Sequence, residues 1–280
     1  MKLSCLPVSF FPDIAADRMT IRAWAAMARS LGLDAFDLGI TLIRNHTPTY
    51  LASLRRDMEA EGIGIAMITD YPDFTHPESR QRERELAYLV RDIALAGQLG
   101  ARFLRVTAGQ NHPGVPVDRQ VATAVEFLRK ASHLAEEHGI TLVLENHSKP
   151  GAWDHYDLTY DPAAFLAVAD GVASTSIGLN FDTANAVSCG ADLPDLLRRV
   201  VDRVVTVHAS DTASAGIFQP VVVGSGAVPF VDAFRILRER GFDGWVCIEE
   251  WSRTGPEGVK RAVANMRAAW TAAVPEGALE

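Results

Sequence analysis

The chain has 280 residues, 48% hydrophobic and 22% charged, which allows a packed core and argues against disorder. Its 27 basic and 35 acidic residues give a formal charge of −8, and no long basic run occurs, so nucleic acid is not expected as the main partner. Cys5, Cys189 and Cys247 form no CxxC pair, so neither a disulfide framework nor a zinc ribbon is indicated. Unpaired thiols, the lack of a signal-type apolar region at the N-terminus and the lack of any run near the ~20 residues of a membrane helix together predict a cytoplasmic protein without a membrane partner.

Short β-type runs alternate with longer stretches of helical period. LSCLPVSF reads as the first strand, followed by a helix over 21–31 that Gly32 stops. AFDLGI is the second strand, with a helix over 50–61 behind it. GIAMITDY leads into a long amphipathic helix, 78–99, that ends at Gly100. ARFLRVTAG leads into a helix over 118–138, ended by Gly139. ITLVLENH is the fifth strand, and the next helix starts at Pro162 with Asp161 as its N-cap. IGLNFDTAN precedes a short helix, 193–200, capped by Asp192. RVVTVHASD precedes a helix over 228–240, and GWVCIEEW precedes a closing helix over 258–273.

Eight β-then-α units with no change of composition predict parallel strands, right-handed crossovers and a single (β/α)8 TIM-barrel domain over 1–280, its last few residues forming a disordered tail. A doubly wound open sheet is disfavoured because no GxGxxG follows the first strand and the polar residues gather at the ends of many strands.

In such a barrel the chemistry sits at the C-terminal ends of the strands. Here the fifth strand ends Glu145-Asn146-His147, the sixth Asp182-Thr183-Ala184-Asn185, the seventh His208-Ala209-Ser210-Asp211 and the eighth Glu249-Glu250-Trp251. Side chains alternate faces along a strand, so Glu145 shares a side with His147, and Glu249 with Trp251. Glu145, Asp182, His208 and a glutamate of the eighth strand are expected to converge. Three close carboxylates repel unless a cation sits among them. Three oxygens and one imidazole suit Mn²⁺, Mg²⁺, Co²⁺ or Zn²⁺, and the imidazole shifts the preference toward Mn²⁺. Any one of these residues alone reads more simply as a solvated strand end; the case rests on four consecutive strands ending this way.

LVLENH (142–147), GLNFDTAN (178–185), VVTVHASD (204–211) and GSGAVPFVDAFRILRERGFDGWVCIEEW (224–251) resemble the sugar phosphate isomerase/epimerase branch of the xylose isomerase-like barrel superfamily. The resemblance implies that Glu145, Asp182, His208 and Glu249 bind one divalent metal ion, and it selects Glu249 over Glu250. It implies that Glu145 and Glu249 form an acid/base pair, moving a proton on a sugar or related polyol ketone by way of an enediolate. Asn185, Trp251, Arg105, Lys149 and Asp211 become candidate substrate contacts, and homo-oligomers are common in the family.

Four positions depart from the ketose 3-epimerase pattern: Asn185 stands for a histidine, Ser214 for an arginine, Ser210 for a lysine and Ser225 for a glutamate. They leave room for a second chemistry. Related barrels include dehydratases of keto-cyclitols and lyases of keto-glycosides, in which His147 would be the base that removes a proton α to a ketone. The DNA-repair endonucleases that share this barrel are set aside, because no Asp-x-His follows Asp211 and the net charge is acidic. Trp153 and Trp251 could stack on a sugar ring, whereas Trp24 falls in a helical pattern and reads as core.

Overall fold

All eight expected strands are present, and each is shorter than the run that signals it. The computed structural model describes residues 1–148 and 151–274; Lys149 and the expected tail lie outside the described residues. The strands are β1 (Lys2–Leu6), β2 (Phe36–Gly39), β3 (Ile65–Thr69), β4 (Phe103–Val106), β5 (Thr141–Glu145), β6 (Gly178–Asp182) and β7 (Val204–Ala209). A hairpin that the sequence reading did not anticipate follows, β8 (Thr212–Ser214) with β9 (Ile217–Pro220), and then β10 (Trp245–Glu249). The α-helices are α1 (Phe11–Ala15), α2 (Ile21–Ser30), α3 (Pro48–Ala60), α4 (Ser79–Leu99), α5 (Val117–Glu137), α6 (Pro162–Gly171), α7 (Thr183–Ser188), α8 (Leu193–Val200), α9 (Phe230–Glu239) and α10 (Gly255–Ala272). None of the described helices is long and apolar enough to cross a membrane.

Local signals account for the boundaries. Asp161 and Asp192 cap α6 and α8 by accepting from Ala164 N–H and Asp195 N–H. Gly100 ends α4 with φ of +78°, a left-handed conformation that only glycine adopts cheaply. The run GLNFDTAN is the main correction. The strand stops at Asp182, whose carboxylate accepts from Asn185 N–H and so starts α7 at once. Thr183, Ala184 and Asn185 are therefore helical, and Asn185 does not end a strand.

The eight main strands form one parallel sheet in the order β1-β10-β7-β6-β5-β4-β3-β2. With helices between successive strands, this is a (β/α)8 barrel. The chain divides into two compact units. One comprises Met1–Asp37, Asp57–Gly64 and Phe181–Glu280. In it β1 pairs with β10, Leu6 against Glu249, and β10 pairs with β7, Cys247 against His208. First strand beside last is the pairing a closed barrel needs and an open doubly wound sheet lacks. Trp24 is fully buried there, as its helical pattern predicts.

The second unit comprises Leu38–Arg56 and Ile65–Asn180. Here β3, β4, β5 and β6 pair in sequence, with Arg105 opposite Val143 and Glu145 opposite Asn180. The stacked rings of Phe74 and Phe127, 5.5 Å apart, fasten the chain after β3 to α5.

Candidate active site

In a parallel pair, residues in register point to one side, as do residues two apart along a strand. Cys247 lies opposite His208, so Glu249 comes next on that face. His208 Nδ1 is 3.2 Å from Glu249 Oε2. Glu250 alternates away and is buried, its carboxylate accepting from Ser252 N–H at 2.8 Å. Asp182 Oδ1 accepts from Asn185 N–H at 2.6 Å and from Ser210 Oγ at 2.8 Å. Asp182, His208 and Glu249 each offer a ligand atom, and those atoms lie within 4.8 Å of one another. Asp182 and His208 are buried, whereas the Glu249 side chain is 23% exposed, so Glu249 is the member of the three that solvent or a ligand can reach. This cluster of acidic and histidine side chains could hold a metal ion.

The second unit supplies another polar group. Because Arg105 pairs with Val143, it shares a face with Glu145, and its Nε lies 3.1 Å from Glu145 Oε2. Asn180, in register with Glu145, donates its Nδ2–H to Oε1 at 2.7 Å. One oxygen thus holds a guanidinium and the other an amide, both buried. Arg105 also donates to Asp70 O at 3.2 Å and lies 4.3 Å from the centre of the Tyr71 ring. His147 has left the strand. Its Nε2 is 4.0 Å from Glu145 Oε2, its ring meets Tyr71 edge-on at 5.8 Å, and its backbone N–H donates to Thr159 Oγ1.

The remaining candidates divide. Asn185 is buried, and its Oδ1 has no hydrogen-bond partner among the described residues. Trp251 packs against Phe218 of β9, with ring centres 5.6 Å apart. Asp211 has four backbone donors: Thr212 and Val228 N–H on Oδ1, Gly224 and Gly226 N–H on Oδ2. That carboxylate anchors the GSG turn. A Cβ on Gly226 would come within 2.5 Å of Asp211 Oδ1 and 2.3 Å of Thr212 O, so the turn needs glycine there. Burial nevertheless pushes the Asp211 carboxyl above its ordinary range.

Sequence reasoning missed three features. Asn180 looked like a strand interior residue, although register with Glu145 makes it that residue's partner. Asp73 escaped notice because it follows β3 in a loop. Its carboxylate accepts from Thr75 Oγ1, Gln110 N–H and Gln110 Nε2–H and lies 3.0 Å from His112 Nε2, which ties the loops after β3 and β4 together. Asp157 is buried with Oδ2 lacking a partner among the described residues, and burial pushes its carboxyl up to about 7.

A (β/α)8 barrel with acidic and imidazole groups at its strand ends is the architecture of a broad class of enzymes. The chain belongs to the xylose isomerase-like TIM barrel family, whose description matches residues 25–269. It is 32% identical over 266 residues to SgbU of Escherichia coli (strain K12), a proposed L-ribulose-5-phosphate 3-epimerase, covering 86% of this chain and 87% of that one. It is 27% identical over 288 residues to the inosose dehydratase of Clostridium botulinum (strain Alaska E43 / Type E3), covering 89% of each. Among solved structures, a D-tagatose 3-epimerase-like protein superposes with a TM-score of 0.80 at 17% identity, covering 98% of both chains. These relatives are enzymes, and they support an activity of the sugar isomerase or epimerase type.

Proposed function

We propose that this chain is a divalent-metal-dependent isomerase or epimerase of a sugar or related polyol ketone. The observation that carries the reading is the grouping of Asp182, His208 and Glu249, with ligand atoms within 4.8 Å of one another. Two carboxylates this close together, one of them buried, favour a cation between them. The family resemblance adds Glu145 as the fourth ligand in this reading. Three carboxylates and one imidazole fit Mn²⁺, with Mg²⁺, Co²⁺ or Zn²⁺ as alternatives. When bound, the ion supplies Lewis acidity that makes a proton beside a substrate carbonyl easier to remove.

The protein's own groups do the rest. Glu249, partly exposed, carries a proton to or from the substrate carbon, with Glu145 as its counterpart on the opposite face. Arg105 and Asn180 fix the Glu145 carboxylate, so Arg105 acts on the reaction through Glu145. Asn185 offers Oδ1 to a substrate hydroxyl, and Trp251 backed by Phe218 forms an apolar wall for a sugar ring. Asp211 holds the GSG turn in place.

A second reading, a dehydratase or lyase acting on a keto-cyclitol or keto-glycoside, is favoured by one observation. When Glu145 takes up a proton it loses an ion pair with Arg105, whereas the imidazole of His147, its Nε2 4.0 Å from Glu145 Oε2, can take up a proton without breaking that pair. In that chemistry His147 is the base. Both readings begin with removal of the proton α to a ketone, so one experiment separates them. Mn²⁺-loaded enzyme is incubated with hydroxy-ketones and keto-polyols in D2O. Deuterium at the α carbon with a new epimer or isomer supports the first reading, and loss of water with enone absorbance supports the second. No exchange into any of them contradicts both.

A further inference from the structure

Thr159 lies in the short helical turn Leu158–Tyr160 after β5 and is buried. Its hydroxyl spans the end of that strand. Oγ1 accepts from His147 N–H at 3.2 Å and faces Glu145 O at 2.8 Å. In an extended chain a carbonyl and the N–H two residues on point to the same side, where a neighbouring strand normally takes both. Here one hydroxyl takes both. It carries the parity of β5 past Glu145, so His147 keeps the Glu145 face, its Nε2 4.0 Å from Glu145 Oε2. The hydroxyl is itself held. Asp157 Oδ1 accepts from Thr159 N–H at 2.7 Å and stands 2.6 Å from Oγ1. The chain around Asp157 is strapped to the loop after β4. Leu158 N–H donates to Gly109 O, Asn111 N–H donates to Tyr156 O, and Gln110 Oε1 accepts from both Asp154 and His155 N–H. Gln110 is fastened in turn to Asp73, donating its N–H to Oδ1 and its Nε2–H to Oδ2.

We propose that Thr159 is the positioning residue for His147. Its hydroxyl ties the backbone at Glu145 and His147 to the strap formed by Asp157, Gln110 and Asp73. That tie fixes φ and ψ just past the strand and so aims the imidazole at the space beside Glu145 and against the edge of the Tyr71 ring, 5.8 Å away. Without the hydroxyl, Glu145 O and His147 N–H lose a buried partner. The backbone then turns to find another, and the ring turns with it. A reacting group displaced by about 1 Å loses much of its effect on rate. The consequence for turnover rests on the reading in which His147 is the base. The placement of the ring does not.

The test uses the full chain. In metal-free protein at one pH, the ring proton signals of His147, identified as those missing from His147→Ala, report its place against Tyr71. Thr159→Val keeps the shape and removes the hydroxyl. It is expected to shift those signals and to speed exchange of the His147 amide in D2O by roughly 2- to 10-fold, the range for loss of one hydrogen bond. Thr159→Ser keeps the hydroxyl and should restore both. With Mn²⁺ and a keto-cyclitol, elimination followed by enone absorbance should fall in Thr159→Val by roughly 10- to 100-fold in kcat, with KM little changed, and recover in Thr159→Ser. A wild-type His147 amide that exchanges as fast as one in an unfolded chain overturns the proposal, and it does so even where Thr159→Val fails to fold. So do unshifted ring signals in Thr159→Val, or a Thr159→Ser protein that behaves as Thr159→Val does. Loss of turnover in His147→Ala beside full turnover in Thr159→Val overturns it as well. Should His147→Ala, or the wild type itself, show that no elimination depends on His147, while the ring signals shift in Thr159→Val and return in Thr159→Ser, the reading of His147 as the base fails and the positioning role stands.

Discussion

The two polar groups balance their charge differently. Around Glu145 the positive partner is built in: Arg105 sits on one carboxylate oxygen and Asn180 on the other. Asp182 Oδ1 accepts from two neutral donors, Ser210 Oγ and the Asn185 N–H, and Glu249 faces the imidazole of His208. The first arrangement is complete as a protein ion pair and resists change. The second gathers acceptors whose full value appears only with a cation. On the proposed reading, Arg105 and Asn180 hold the Glu145 carboxylate in one orientation, while Asp182, His208 and Glu249 are left to a bound cation and to proton movement.

The largest effects should come from the second group. Glu249→Gln keeps the shape and removes the charge, and it is expected to lower turnover by about 10²–10⁴-fold, the range for loss of an acid/base group. Asp182→Asn should lower bound metal in the purified protein, measured by elemental analysis. Full activity in either variant would break the comparison on this side.

In the Arg105 group the expected loss is of stability. Arg105→Met leaves a buried carboxylate without its cation, which typically costs about 3–5 kcal/mol. Urea unfolding of Arg105→Met, Glu145→Gln and the double variant tests this. The double variant should be more stable than Arg105→Met alone, because it carries no orphaned charge. Additive losses would mean that the 3.1 Å pair is not coupled.

His147→Ala sharpens the comparison at its functional edge. A turnover loss near 10²-fold, with substrate affinity little changed, identifies the ring as the base and favours elimination. A loss under about tenfold leaves proton movement to the glutamates and favours the isomerase or epimerase.

Much of this was legible in the sequence because strand ends carry a strong signal. A largely apolar strand run that leads into Glu145, Asp182, His208 or Glu249 marks both the element and its polar tip. What the run does not encode is register. Pairing of Arg105 with Val143 and of Glu145 with Asn180 decides who touches Glu145, and those residues are 35 to 40 positions apart. Arg105 therefore read as a substrate contact, although its side chain is directed to Glu145 and Tyr71. Asp211 misled in another way. A carboxylate at a strand end looks available until a glycine turn from thirteen residues on folds its N–H groups onto it. The hairpin β8–β9 was hidden because TASAGIFQP shows too short an alternation to stand out from a loop.

The smallest effect concerns a buried acid near Arg105 with no ion pair among the described residues. Asp157 Oδ1 accepts from Thr159 N–H and Oγ1, but burial dominates and raises its carboxyl from 3.8 to about 7. Between those values the folded protein keeps a proton that the unfolded chain has released. The protonated form therefore adds stability that is complete below about pH 4 and disappears as pH rises through about 7, at no more than about 1.4 kcal/mol per pH unit. Asp70, also raised to about 7 by burial, adds a slope of the same sign. Asp157→Asn cannot ionise, so it should gain on wild type as pH rises across this window and keep a constant difference above it. Urea unfolding of both proteins at several pH values measures that difference. A gap that does not change with pH would show Asp157 to be ionised throughout, and its burial would then be balanced by charge, as that of Glu145 is by Arg105.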